Sequence, residues 1–334
     1  MIDIKVCPST LAVGYGAYSP KAIKHLFCGV RVSPLLDFGI DGFRMTEDIV
    51  RAVNRISVSG AQEKFPAVVE NGKIRLAADN EKATYILKPA PWDETIATRK
   101  QIPANENLTM QIASQVYRIR TAANGLCFSP SGEAIYITKR FDIAEDGSRY
   151  GMEDFASLVG KDEGDGGVNY KYDGSYEDIA LSIRKYIPAW PVAMEEFFRL
   201  LVFNYIYGNG DAHLKNFSIM KYGDDYRLAP AYDLLNTSIH IGGDDFGLNG
   251  GLSSAIEESD VYDRTGHPCR TDFERFGRIV GLKEKRMKAV LDTFSVLPQL
   301  SSTLISNSYL TDKMKRSYLR TVDTRIRRFN RQSD

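Results

Sequence analysis

The sequence predicts an α+β protein with a strand-rich first lobe and a helix-rich second lobe. Three observations carry that reading. Apolar and polar residues alternate in segments between positions 67 and 142, the period of two expected of half-buried strands. From about Tyr150 onward the apolar spacing is mostly helical. The chain has 334 residues, room for two lobes at roughly 100–200 residues each. The small lobe is expected over 1–142 and the helical lobe over 143–334.

Composition bounds the class. Lys+Arg and Asp+Glu number 43 each, so the formal net charge is zero. With 43% hydrophobic and 26% charged residues, the chain is expected to fold rather than stay disordered. No window approaches 18 uninterrupted apolar residues, so no transmembrane helix is expected. The start, MIDIKVCPST, has an acid at position 3 and no apolar h-region, unlike a secretory signal. Balanced charge supplies no whole-protein argument for binding nucleic acid or membrane. Cys7, Cys28, Cys127 and Cys269 show no Cys-x-x-Cys spacing and read as reduced thiols of a cytoplasmic protein. Cys7, His25 and Cys28 would make three zinc ligands, but a fourth at sensible spacing is missing.

The elements follow in order. AIKHLF (22–27) reads as a short helix. TEDIVRAVNRI (46–56) has helical apolar spacing behind Thr46, a plausible N-cap. AVVENGKIRL (67–76) reads as a hairpin turning at Asn71-Gly72. ATYILKPA (83–90) is a third strand closed by prolines. NENLTMQIASQVYRI (105–119) reads as an amphipathic helix with Leu108, Ile112, Val116 and Ile119 on one face. Cys127, in GLCF, is expected in the core, and AIYITKRFD (134–142) alternates as a strand. The polar, Gly-rich stretch 161–176 reads as a loop. An apolar helix over 194–211 is halted by Gly208 and Gly210, and late helices are expected over 283–297 and 308–329. GGDDF (242–246) reads as a solvated turn.

Four segments supply a chemistry together. SVSGAQEK (57–64) is a small-residue loop; Lys88 ends the strand YILK; GNGDAHLKN (208–216) follows the apolar helix; APAYDLLNT (229–237) follows the strand-like YRLAP. Phosphoryl transfer needs backbone amides on the phosphates, a lysine paired to them, a carboxylate for the attacking hydroxyl, and an Asn plus an Asp for Mg²⁺. Asp211 and Asn216 stand five apart, the spacing of a D-x-x-x-x-N catalytic loop, and Asp233 lies 17 residues on. His213, between them, is either a loop-shaping histidine or one that reaches ATP. Each feature has a bland alternative: a surface turn, a snorkelling lysine, a chance spacing, a helix cap. The common order of all four favours the chemistry. A Walker A loop and a G-x-S-x-G elbow are both absent, which disfavours a P-loop NTPase and a serine hydrolase.

SVSGAQEKF, YILKPA, NENLTMQIA, ITKRFD, EDFASLVG, FNYIYGNGDAHLKNFSI and LAPAYDLLNT resemble successive motifs of the HipA-like serine/threonine kinases, toxins of bacterial toxin–antitoxin systems. The resemblance covers most of residues 15–240. It implies a two-lobed protein-kinase-like fold, with ATP and Mg²⁺ as cofactors. Asp211 would be the catalytic base, Asn216 and Asp233 the Mg²⁺ ligands, and Lys88 the phosphate-binding lysine. Lys139 and Phe141 fall at the adenine hinge; Asp142, His213 and Tyr232 fall near the nucleotide; Glu106 falls where an acidic partner for the lysine would lie. Ser57 matches the family's autophosphorylated serine, and Ser59 is a second candidate.

Only 56 residues precede Ser57, which is similar to the short, HipT-type members of three-gene systems. There a separate small antitoxin resembles the absent N-terminal subdomain, and a DNA-binding antitoxin links the complex to DNA. The implied substrate is an aminoacyl-tRNA synthetase, tryptophanyl-tRNA synthetase in HipT-type members, and no membrane partner is implied. Two rivals are a small-molecule kinase on the same scaffold and a non-catalytic module that holds antitoxin or DNA. The latter would use the basic run Lys313–Arg331, whose plain reading is a solvated helix face.

Overall fold

The computed structural model describes residues 2–39, 63–144 and 146–332. The expected helix 46–56 and the loop segment through Gln62, with Ser57 and Ser59, lie outside the described residues.

Five antiparallel strands form the main sheet: β1 (Phe65–Glu70), β2 (Lys73–Leu76), β3 (Tyr85–Lys88), β4 (Asn124–Phe128) and β5 (Ala134–Lys139). Their order is β2-β1-β3-β5-β4. The β1–β2 hairpin closes as expected through Asn71 and Gly72, at φ 50° and 73°; only a residue tolerant of positive φ suits that turn. Side chains of one strand divide between two cores, as the two-residue period requires. Ile135 and Ile137 join Cys127, Phe27 and Phe65 on one face, and Tyr136 joins Leu126 and Phe128 on the other. The first face is covered by the N-terminal segment and helix α1 (Pro20–Leu26), which Ser19 caps.

Helix α2 (Ile102–Gln115) covers the second face. It starts three residues before the expected position, and every residue from Ile102 to Ala113 is buried. The amphipathic reading is therefore corrected: α2 is packed between the sheet and later helices, so both of its sides are interior. Val116 and Ile119 follow its end.

Beyond residue 150 the chain is mainly helical, with α3 (Tyr176–Tyr186), α4 (Trp190–Ile206), α5 (Arg270–Ile279), α6 (Glu284–Asp292), α7 (Gln299–Asn307) and α8 (Asp312–Phe329). Ser175 and Asp178 form a reciprocal capping box at the start of α3. The expected helix 283–297 stops at Asp292, and α7 was not anticipated. A small antiparallel sheet, β6 (Met152–Asp154), β7 (Ser218–Tyr222) and β8 (Asp225–Leu228), lies between α4 and the C-terminal helices in sequence order of its last two strands. The stretch read as a loop, 161–176, carries short helical turns over Glu163–Gly166 and Gly167–Tyr172. GGDDF is more than a solvated turn. Asp245, 10% exposed at its side chain, pairs with Arg325 and with His267 at 2.8 Å. Arg325, counted in the basic run, is buried by that pairing. None of the four cysteines is in a disulfide, and Cys127 is in the core as expected. Among the described residues no helix is long and apolar enough to cross a membrane.

Candidate active site

β3 delivers Lys88 at its C-terminal end, with the side chain turned inward and 4% exposed. Its ammonium donates to Glu106 Oε1 at 2.7 Å and also to Asp233 Oδ1. It lies 5.3 Å from the centre of the Tyr136 ring. Burial alone would strip this proton, but the charges of Asp233 and Glu106 outweigh it and hold the lysine protonated. Glu106 sits on α2 and is buried. Burial pushes its carboxyl up, against the attraction of Lys88. A carboxylate buried this deeply is stable only beside such a partner.

The second part of the site hangs on α4. Gly208 ends that helix at φ +69°, and a Cβ there would stand 2.8 Å from Asn236 Oδ1. Glycine is required on both counts. The loop then brings Asp211, His213 and Asn216 to one wall. Asp211 accepts a 2.8 Å hydrogen bond from the Tyr172 hydroxyl. Burial raises its carboxyl, and the Tyr172 bond and the Lys171 charge offset part of that. The His213 amide donates to Asn216 Oδ1 at 3.1 Å, and the Asn216 amide returns to the His213 carbonyl at 2.9 Å. This closed turn fixes Asn216. His213 is buried, its Nδ1 has no hydrogen-bond partner among the described residues, and desolvation pushes the imidazole down to about 3. It is neutral at physiological pH.

Asp233 completes the site after β8. Its φ is +55°, a left-handed conformation that costs an L-residue about 1–2 kcal/mol and clusters at functional positions. Lys64 Nζ lies 3.5 Å from Asp233 Oδ2, on the side opposite the Lys88 contact at Oδ1. Burial would raise this carboxyl, yet Lys64 and Lys88 hold it well below the usual carboxylate range. Lys64, Lys88, Glu106, Tyr172, Asp211, His213, Asn216 and Asp233 all line one cavity of about 310 Å³.

No cluster of three or more His, Cys, Asp or Glu groups poised for a metal occurs among the described residues. The oxygen set still fits Mg²⁺. That ion takes hard oxygen ligands, keeps several waters, and completes its shell with substrate phosphates rather than an all-protein cage. Asp233 offers an ionised carboxylate, and Asn216 Oδ1 has a lone pair left after accepting from His213.

The other expected nucleotide residues lie apart from this cavity. Phe141 and Tyr232 stack at 5.6 Å with their planes 29° apart. The Tyr232 hydroxyl meets Ser218 Oγ at 2.6 Å and donates to the Lys215 carbonyl at 2.8 Å. Asp142 is taken by Arg140. The Lys139 side chain runs to Cys28 Sγ at 2.8 Å, and its amide donates to the Ala123 carbonyl at 2.8 Å. The cavity residues that sequence reasoning does not single out include Tyr172, Lys64 and His240. His240 bridges Thr98 Oγ1 at 2.7 Å and Asn105 Nδ2 at 2.8 Å beside the cavity. Lys64 lies inside the loop motif SVSGAQEK, and only the fold brings it beside Asp233.

Comparison with known proteins places this geometry. The family model described as HipA-like C-terminal domain matches residues 56–299. Y4mE of Sinorhizobium fredii, named as a candidate kinase, is 32% identical over 201 residues, 55% of this chain and 43% of its own. Another candidate kinase, from Haemophilus influenzae, is 27% identical over 66% of this chain and 64% of its own. Y4dM of Sinorhizobium fredii is 34% identical over 72% of this chain and 56% of its own. The chain thus spans between 43% and 64% of these relatives' lengths.

Among solved structures, HipA of Shewanella oneidensis, in complex with HipB and operator DNA, superposes with TM-score 0.62 at 18% identity. It covers 82% of this chain and 65% of that one. The Helicobacter pylori proinflammatory kinase CtkA gives 0.50 at 13% identity, over 82% of this chain and 92% of that one. These likenesses bear out the expected kinase-like fold, with a strand-rich small lobe and a helical large lobe. With about three quarters of its length matched, the chain belongs to the HipA-like C-terminal domain family.

Proposed function

We propose that this chain is an ATP- and Mg²⁺-dependent serine/threonine protein kinase acting as the toxin of a bacterial toxin–antitoxin system. The observation that carries the reading is the Lys88 ammonium. It is held 2.7 Å from Glu106, pairs with Asp233, and shares one cavity with Asp211 and Asn216. Phosphoryl transfer is mostly positioning and charge neutralisation, and this set supplies both. ATP would occupy the cleft between the lobes, 1–142 and 143–334, with Phe141 and Tyr232 toward its base and Lys88 toward its phosphates. Asn216 and Asp233 would hold Mg²⁺, which would supply charge neutralisation at the phosphates. Without the ion, Lys64 and Lys88 balance the Asp233 charge. Asp211 orients the substrate serine hydroxyl and accepts its proton. A raised carboxyl suits that task better than an ordinary one. His213 lines the same cavity and, being neutral, adds no charge there.

The protein substrate is an aminoacyl-tRNA synthetase, tryptophanyl-tRNA synthetase being favoured by the resemblance to HipT-type members. Ser57 or Ser59 accepts phosphate in autophosphorylation. Such a phosphate brings about −1.5 to −2 charges and switches the enzyme off. The partners are a small antitoxin and a DNA-binding antitoxin, with DNA reached only through the latter and no membrane contact. The HipB and operator DNA bound to the Shewanella protein support that arrangement. The working compartment is the cytoplasm. The test is phosphoprotein mass spectrometry of bacterial lysates after induction of wild type and Asp211→Ala. A phosphoserine on one synthetase, found only with wild type, supports the reading. Identical phosphoproteomes, with growth unaffected by the wild type, overturn it.

A further inference from the structure

We propose that Tyr172 is an intramolecular phosphoacceptor, its hydroxyl seated at the base where a substrate hydroxyl would sit. The inference rests on the kinase reading of the same site. The Tyr172 hydroxyl donates to Asp211 Oδ1 at 2.8 Å, on the wall of the cavity that also holds Lys88, Asn216 and Asp233. A general base is recognised first by such reach to the proton it takes. The tyrosine is docked there from three sides. Its ring meets the His213 ring edge-on at 5.2 Å, Lys171 Nζ lies 5.0 Å from its centre, and its carbonyl accepts from the Asn249 amide at 3.0 Å.

The step balances with ATP as co-reactant. The phenolic oxygen forms a bond to the γ-phosphorus, the bond from that phosphorus to the β,γ-bridging oxygen breaks, ADP leaves with that electron pair, and the phenolic proton passes to Asp211. Burial and the Asp211 charge keep the phenol itself protonated until then. The product carries about −1.5 to −2 charges beside Asp211, with Lys171 as the adjacent cation. It fills the acceptor position, so the modification limits further turnover.

Tyr170, in the same turn, is an internal control. Its hydroxyl accepts from Lys215 Nζ at 2.8 Å, and among the described residues it bonds no carboxylate.

The test is peptide mass spectrometry of the purified wild-type chain after incubation with MgATP at several protein concentrations, with ADP release followed in parallel. The expected result is phosphate on Tyr172, at up to one per chain, with a rate independent of protein concentration. Tyr170 and the Asp211→Asn variant should stay unmodified. Tyr172 unmodified while phosphate appears elsewhere on the chain, or on an added protein, overturns the inference and leaves the kinase reading standing. So does faster ATP hydrolysis in Tyr172→Phe with no phosphotyrosine in wild type, which would make Tyr172 a plug. No ADP and no phosphoprotein of any kind overturns both.

Discussion

Replacing Lys88 by methionine separates the structural role of the buried charge set from its chemical role. Methionine keeps most of the side-chain length, so the packing beside Tyr136 is retained while the charge is lost. Glu106, 3% exposed at its side chain, then loses its direct ionic partner. Asp233 keeps Lys64 at 3.5 Å. Removing one member of a buried pair costs about 3–5 kcal/mol. Glu106 can relieve part of this by taking up a proton, because burial already pushes its carboxyl up. We therefore expect a loss of about 3 kcal/mol at pH 7.5.

The sign with pH follows. A carboxyl raised in the folded state destabilises at high pH, and the penalty is relieved as pH falls through its folded value. The gap between Lys88→Met and wild type should narrow at pH 5.5. Adding Glu106→Gln to Lys88→Met should recover more than half of the loss, since an amide needs no counter-charge. Urea unfolding of the three proteins at both pH values measures this. A Lys88→Met chain as stable as wild type at pH 7.5, or no rescue by the second substitution, refutes the reasoning. Transfer activity should be lost in both variants.

Three further outcomes are expected. His213 is buried neutral at about 3 against about 6.5 unfolded, so stability present above pH 6.5 is lost below it. The loss is about 2 kcal/mol by pH 5, seen as a fall in Tm that His213→Gln abolishes. Asn216→Ala should raise the Mg²⁺ concentration for half-maximal transfer about tenfold or more, read from a metal titration at fixed ATP. Burial raises Asp211, so the acid limb of the kcat–pH profile should lie above the ordinary aspartate value of about 4. A limb at or below that value would remove Asp211 as the base.

Much of the site was legible because its groups are local. Asp211 and Asn216 share one loop, and the helix halt at Gly208 announces where that loop begins. Lys88 was legible as the last residue of an alternating strand. Its pairing with Glu106 is not local in sequence, since only the fold brings β3 and α2 together. Tyr172 was hidden inside a Gly-rich polar stretch whose short helical turns have no apolar period. The burial of α2 on all sides was illegible because its sequence shows one apolar face. Asn105, Glu106 and Asn107 look like a solvated face, yet each is buried and Asn105 bonds Asn236 and His240. The Asp245 cluster was misread for a similar reason: two acids in a Gly-rich turn look solvated until α8 supplies Arg325 and Arg328.

The most direct test of phosphoryl transfer is to incubate the purified chain with γ-labelled ATP, Mg²⁺ and a bacterial extract, then separate protein from small molecules. The account predicts label on protein as phosphoserine, absent with Asp211→Asn although that variant keeps its fold by circular dichroism. A general base contributes about 10²–10⁴-fold, so residual transfer should fall by at least the lower figure. Label only on small molecules, or equal labelling by the two proteins, would contradict it.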